Sequence, residues 1–363
     1  MNTTVETIGD KTPAPRPGTA PILWFVVAAA AAALVALAVA SANGGISGLL
    51  TVGEDFPIRD YVVADLGPIR LAGGAGHDGQ QYYGIARDPF GSGAVPELLD
   101  NPGYRYQHIL YPALAGGLGT FSPDATVTLM LVLAVAGYGL AAAAALMLND
   151  RLGGDRVIAQ LAIVNVGLLL AVRFLLPDAL ALGLALLGVV LAHAERDRPA
   201  AAALALAVLT KTTYFVFPLA LGVWAWNRRR TVWLTLVPAV PAALWTMFVF
   251  IRFGATTAGN LSFPFAGLVG ALDLWGSVSP GEVLMAGAAA LLTLAGAVLA
   301  VRTRDRLLRR LLAAWVGVAL ISSQYVWEFG NNTLRVLAPL WALSAVAAAV
   351  YRSTSTSRRN LPV

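Results

Sequence analysis

Residues 199–226 read PAAAALALAVLTKTTYFVFPLALGVWAW, a stretch in which Lys211 is the single charge. One helix of that length would rise about 42 Å, well beyond the roughly 30 Å of a bilayer's hydrocarbon core. The polar run Thr210-Lys211-Thr212-Thr213 interrupts it. We therefore expect two short helices with their turn at Lys211. The choice governs everything downstream, because a single crossing here would invert the sidedness of the rest of the chain.

Outward from this stretch, further apolar segments lie at 21–41, 124–148, 157–176, 178–194, 231–252, 282–301, 310–326 and 334–351. With the split at Lys211 they predict ten transmembrane helices in an all-α, polytopic membrane protein. Composition agrees: the 363 residues are 58% hydrophobic and 12% charged, with a mean hydropathy of +0.70, against about 25% charged in soluble domains. The net charge of +5 comes from short basic clusters set between apolar runs, not from one continuous face, which argues against nucleic acid as a partner. The absence of cysteine excludes disulfides, thiolate metal sites and thiol nucleophiles. Ala40-Ser41-Ala42 resembles a cleavage site, yet the apolar run before it exceeds the 7–15 residues or so of a signal h-region. We read 21–41 as a retained first helix. Residues 1–20 are polar and proline-containing and are expected to be disordered, 21–351 form one transmembrane domain, and 352–363 form a tail.

Arginine placement sets the orientation. With both termini cytoplasmic, the inner segments 1–20, 149–156, 195–198, 227–230, 302–310 and 352–363 hold 17 of the 25 Lys and Arg but 7 of the 20 Asp and Glu. This predicts a plasma-membrane protein whose residues 43–123 form one long extracytoplasmic loop carrying short surface helices. That loop holds eight carboxylates and four arginines, and structureless loops of such length are uncommon unless they work.

Within the loop, GHDGQQYYGIARDPF (76–90) is a polar, aromatic-rich patch. His77-Asp78-Gly79-Gln80-Gln81-Tyr82-Tyr83-Gly84-Ile85-Ala86 resembles the Trp-Asp-x-x-x-Tyr-(Phe/Leu)-x-x-Ile-Ala pattern of PIG-V-like mannosyltransferases in the GT-C superfamily, with His77 where that pattern has Trp. Tyr104-Arg105-Tyr106-Gln107-His108-Ile109-Leu110-Tyr111-Pro112, Pro177 to Leu182 and Leu209 to Thr213 are similar to stretches of bacterial relatives. The resemblance implies an inverting glycosyltransferase that moves a sugar, mannose as the best guess, from a polyprenyl-phosphate carrier to an extracytoplasmic hydroxyl. A glycan, a lipid or a protein could be the acceptor. The outer loop 43–123 holds no Asp-x-Asp or Glu-x-Asp pair, so a divalent cation is left open as a cofactor.

Such a transfer needs a base for the acceptor hydroxyl and cations for the departing phosphate. Asp78 is the candidate base; alternatively it only caps a helix in which Gly76 and Gly79 permit a tight turn. Tyr82 and Ile85, four and seven residues on, would share its face. Asp88, before Pro89, reads as a turn former, or alternatively as a second acid or metal ligand. Lys211, Arg335 and Arg173 are candidate phosphate holders, with lipid headgroups as the alternative partners for Lys211 and Arg335; the resemblance implies that role for Arg335 in particular. His77, Gln81, Tyr104, Arg105 and His108 complete the expected substrate-binding set. The two histidines are read as packing or hydrogen-bonding groups, and their spacing does not form a metal site. Pro238 and Pro241 predict a kink. Two other functions compete: a transporter or flippase of lipid-linked saccharides, and a catalytically silent partner in envelope assembly.

Overall fold

A computed structural model describes residues 20–226, 228–255 and 259–359. It is all-helical, with no strand among the described residues. Among the described residues five helices are long and apolar enough to cross a membrane: Ala20–Ala42, Pro123–Arg151, Arg156–Arg173, Arg229–Phe253 and Pro280–Arg302. A sixth candidate is the pair Gly330–Val336 and Ala338–Ser355, bent by 56° at the break. The disorder expected for 1–20 lies almost wholly outside the described residues. The last helix continues through Arg359, into the segment expected as the tail.

Lys211 breaks the opening stretch as anticipated. Asp197–Thr210 and Val216–Ala225 are separate helices, joined by an extended Lys211 (φ −155°, ψ 115°) and a single 3-10 turn at Thr212–Phe215. Asp197 opens the first of these helices and Arg230 follows the second. The Arg230 guanidinium forks onto the Asp197 carboxylate at 2.9 and 3.0 Å, so the two helices leave from and return to the same end of the molecule. Fourteen residues rise only about 21 Å, which recesses the Lys211 turn below the full depth of a bilayer.

The other arginine-rich segments gather at this same end. Arg156 pairs with Asp150 at 2.9 Å, Arg352 reaches Asp155 at 3.7 Å, Arg310 donates to the Val223 carbonyl, and His193 lies in the field of Asp305, Arg151 and Arg230 together. The opposite end carries residues 43–123. Here the short helices Arg59–Leu66, Gly79–Arg87, Pro102–Arg105 and Leu110–Gly116 dock onto the long ones. Tyr111 donates to the Met130 carbonyl at 2.8 Å and Trp245 to the Tyr106 carbonyl at 2.7 Å. Tyr83 and Arg87 both bind Asp65, at 2.5 and 2.8 Å.

Small residues set the helix spacing, as expected where apolar burial gives no drive to associate. On Ala20–Ala42 the buried stripe is Ala28, Ala32, Ala36 and Ala40, whereas Ile22 and Leu34 are about 70% exposed. Pro123–Arg151 crosses Asp178–His193 where a side chain on Gly137 would fall 2.3 Å from the Leu180 nitrogen. Pro238 and Pro241 leave the Arg229–Phe253 run continuous. A π-helical turn at Val232–Leu236 precedes them, widening the helix where the Pro238 ring would meet the carbonyl four residues earlier.

Three expected spans differ in detail. The 157–176 segment is interrupted at Asn165, which caps Val166–Arg173 by accepting from Leu168 N–H and donates to the Ala338 carbonyl. The 310–326 segment ends at Ile321, and a separate turn, Gln324–Trp327, follows. Arg335 does not open the last long helix. It is the last residue but one of Gly330–Val336, two residues before the break at Leu337.

Candidate active site

Asp78 immediately precedes the Gly79–Arg87 helix, but its side chain makes no capping bond to the helix backbone. The backbone there is already helical (φ −56°, ψ −22°), so the carboxylate is directed away from the N–H groups it would cap. It faces instead a cavity of about 360 Å³ that it shares with Tyr82, Arg105, Asp178, Lys211 and Arg335. The helix-cap alternative is thereby removed.

Two guanidinium groups meet Asp78. Arg105 Nη2 lies 3.0 Å from Oδ1, and Arg335 Nη2 lies 3.6 Å from Oδ2. Arg105 is held in place by Asp100, through Nε at 2.9 Å and Nη2 at 2.6 Å, and Gln81 Nε2 steadies Asp100 at 3.1 Å. Burial alone would favour the neutral acid, but Arg105 first and Arg335 next outweigh it. They hold the Asp78 carboxyl well below the ordinary carboxylate range. Asp78 is therefore held ionised, and while both arginines clamp it the carboxylate is a weak base.

Arg335 is the less satisfied partner. Only 6% of the residue is exposed, Nη2 donates to Asn332 Oδ1 at 2.7 Å, and the buried Nε has no hydrogen-bond partner. Its position follows from a close helix approach, since a side chain on Gly167 would sit 2.0 Å from the Leu334 carbonyl oxygen. A guanidinium with unused donors at a cavity wall suits an oxyanion.

Lys211 lines the same cavity, but it is not a free cation. Its Nζ rests 2.5 Å from Asp178 Oδ1, and both residues are at least nine-tenths buried. Asp178 is the residue that reading the sequence for site residues missed. The usable signal was a carboxylate opening an apolar helix after Pro177, matched by a lone lysine in another apolar run, since such charges inside a membrane generally find each other.

Of the expected substrate contacts, Tyr82, Tyr104, Arg105, Lys211 and Arg335 line the cavity, and Arg173, His77, Gln81 and His108 do not. Arg173 turns away to donate to Thr51 Oγ1 at 3.1 Å and to cover the Phe174 ring. His77 stacks on Phe174 with ring centroids 3.7 Å apart, and its Nδ1 accepts from the Asp78 backbone N–H at 3.0 Å. Burial, then the nearby Arg335 charge, lowers its pKa to about 4, so the ring is neutral. His108 is fully buried between the Tyr82 hydroxyl at Nδ1 (3.0 Å) and Thr212 Oγ1 at Nε2 (3.4 Å). Burial, and then Lys211, lowers its pKa to about 3. These groups shape the site from behind it. Ile85 is likewise fully buried in the core and faces no ligand space. Asp88 forms the turn anticipated for it, accepting from Ser92 and Gly93 N–H at 2.8 Å.

Among the described residues no group of three or more His, Asp or Glu side chains gathers as a metal site. Each cavity carboxylate is already engaged by an arginine or lysine, so the residues present do not suit a divalent cation. No family model, curated protein or solved structure matches the chain.

Proposed function

We propose that this chain is an inverting glycosyltransferase of a membrane, moving a sugar from a polyprenyl-phosphate carrier to an extracytoplasmic acceptor hydroxyl. The observation that carries the reading is an ionised Asp78 facing one cavity together with the under-bonded Arg335. The likeness of His77–Ala86 to the PIG-V-like pattern supports it and favours mannose as the sugar.

In this reading Asp78 takes the acceptor's hydroxyl proton, and the oxygen attacks the anomeric carbon from the face opposite the phosphate. The carbon–oxygen bond to the carrier breaks, and its electron pair remains on the phosphate. Arg335 receives that charge through its free donors, with Lys211 N–H groups beside it. Entry of the phosphate draws Arg335 from Asp78 and makes the carboxylate more basic when the donor is in place. Asp178 tempers the Lys211 charge, which makes Arg335 the principal anion holder.

For the membrane arrangement we propose ten crossings, both termini cytoplasmic and the cavity open to the outside. The arginine-rich segments gathered at one end support this, as do the exposed apolar faces of the long helices, such as Ile251, Leu284 and Val301 at 75% or more.

The test is purified protein in lipid nanodiscs given radiolabelled polyprenyl-phosphate sugars. Label should pass to an acceptor in wild type and fall by about 10²- to 10⁴-fold in Asp78→Asn. No transfer in wild type, or translocation of label without transfer, would sink the reading, the second outcome identifying a transporter; transfer unchanged by the substitution would remove Asp78 as the base.

A further inference from the structure

The cavity has two unlike walls. Its charged wall lies deep, with Arg335 and Lys211 less than a tenth exposed, whereas Tyr325 and Phe329 on the other wall are 67% and 40% exposed. These rings are not loose surface groups. The Gln324–Trp327 turn that presents Tyr325 is pinned by Trp327, which is 2% exposed and donates to the Ala319 carbonyl, and by Ser323 N–H donating to the Asn260 carbonyl at 3.0 Å. Thr333 Oγ1 donates to the Val326 carbonyl at 2.7 Å and ties the next helix to the same turn.

Polar groups of one kind accompany the rings. Asn260 and Asn332 line the cavity, and among the described residues no protein hydrogen bond engages the Asn260 side-chain amide or Asn332 Nδ2. Asp100, with 42% of its side chain exposed, adds a carboxylate. Two exposed aromatic residues, two asparagines and a carboxylate in one cavity lining match a pyranose ring. Its axial C–H groups make an apolar face for the aromatics, and its equatorial hydroxyls take paired bonds from amide and carboxylate groups. A serine or threonine hydroxyl on a peptide, or a simple lipid alcohol, would leave both rings and both amides unused.

We infer that Tyr325, Phe329, Asn260 and Asn332 form a pyranose-binding subsite at the mouth of the cavity, and that it receives the acceptor, which is therefore a glycan. This rests on the transferase reading and narrows its acceptor to a carbohydrate.

The test is saturation-transfer NMR on the full chain in nanodiscs, with methyl α-D-mannopyranoside and methyl β-D-glucopyranoside as probes and cyclohexanol and an acetylated threonine peptide as controls. Ring C–H signals should appear with the pyranosides, fall at least fivefold in Tyr325→Ala and Phe329→Ala, and persist in Tyr325→Phe and Asp78→Asn. Melting temperatures matching wild type establish that the alanine variants are folded. A ring signal retained on adding polyprenyl-phosphate sugar assigns the subsite to the acceptor. Competition by that donor assigns it to the donor's own sugar and overturns the inference. So does the absence of pyranoside signal in wild type, an equal response to cyclohexanol or peptide, or no change in the alanine variants, which would make Tyr325 an interfacial ring only. Because binding is read without turnover, failed transfer with intact pyranoside binding refutes the transferase reading alone, and intact transfer without pyranoside binding refutes this subsite alone.

Discussion

Lys211 and Asp178, 33 residues apart in sequence, meet at 2.5 Å at the junction of three helices, and the pair is almost closed to solvent. A buried charge that loses its partner costs about 3–5 kcal/mol, whereas replacing both partners with apolar groups can be close to neutral. Lys211→Met and Asp178→Leu should each lower the melting temperature in detergent by several degrees. The double variant should melt nearer to wild type than either single change. Additive losses in that cycle would show that the two charges do not stabilise one another.

The two loop histidines give the fold a dependence on pH. Their folded pKa values, about 4 for His77 and about 3 for His108, are below the ordinary 6.5, so protonation is easier in the unfolded chain. Their contribution to stability is complete above pH 6.5 and is lost as pH falls from there toward 4 for His77 and toward 3 for His108. Melting temperature in detergent should therefore decline below pH 6.5. His77→Phe keeps the stack on Phe174 and should flatten the part of that decline lying above pH 4. An unchanged pH profile in this variant would remove His77 as a source.

Arg335 depends on a glycine that never touches substrate. A methyl group at Gly167 would clash with the Leu334 carbonyl oxygen at 2.0 Å, and backbone cannot yield as a flexible side chain would. Gly167→Ala should shift Gly330–Val336, reducing sugar transfer by about tenfold or more through a 1 Å displacement of the cation. Melting should change by only a few degrees. Full activity in Gly167→Ala would mean that the position of Arg335 is not critical.

Sidedness has a direct measurement, because the chain has no native cysteine. Ser92→Cys should react with an impermeant maleimide in intact cells, and Arg229→Cys should react only after permeabilisation. The reverse pattern would invert the proposed orientation.

The break at Lys211 was legible because an apolar run too long for one crossing has to turn somewhere, and a lone charge is the costliest residue to leave in lipid. The arginine clusters marked one end of the molecule for a similar reason, since membrane charge placement leaves a trace in composition. Asp78, Lys211 and Arg335 were each visible as charges in unusual settings, and the fold brings them to one cavity. Partnerships were not visible. Nothing near Lys211 in sequence points to Asp178, and nothing near Arg105 distinguishes Asp100 from the other loop carboxylates. His77, Gln81, His108 and Arg173, expected among the substrate contacts, stand outside the cavity lining, and polar residues in a loop look alike in sequence whether they face a cavity or pack behind its wall. Periodicity assigns a residue to a face of its helix, but what that face meets is decided by tertiary packing. The bend before the last long helix did carry a signal, Pro339, which has no N–H to continue a helix from Gly330–Val336 and suits the first turn of the helix that starts at Ala338.

The alanine seam of Ala20–Ala42 has a bearing on assembly. Four methyl groups, one per turn, hold this helix through dispersion forces and shape, with the Arg70 bond to the Ala42 carbonyl as a clasp at its far end. A peg seated in this way needs no covalent continuity to find its slot. A chain severed between the peg and the loop of residues 43–123 should reconstitute when its two pieces are co-expressed in one bilayer, whereas a leucine at Ala32 would make the slot too shallow for the peg.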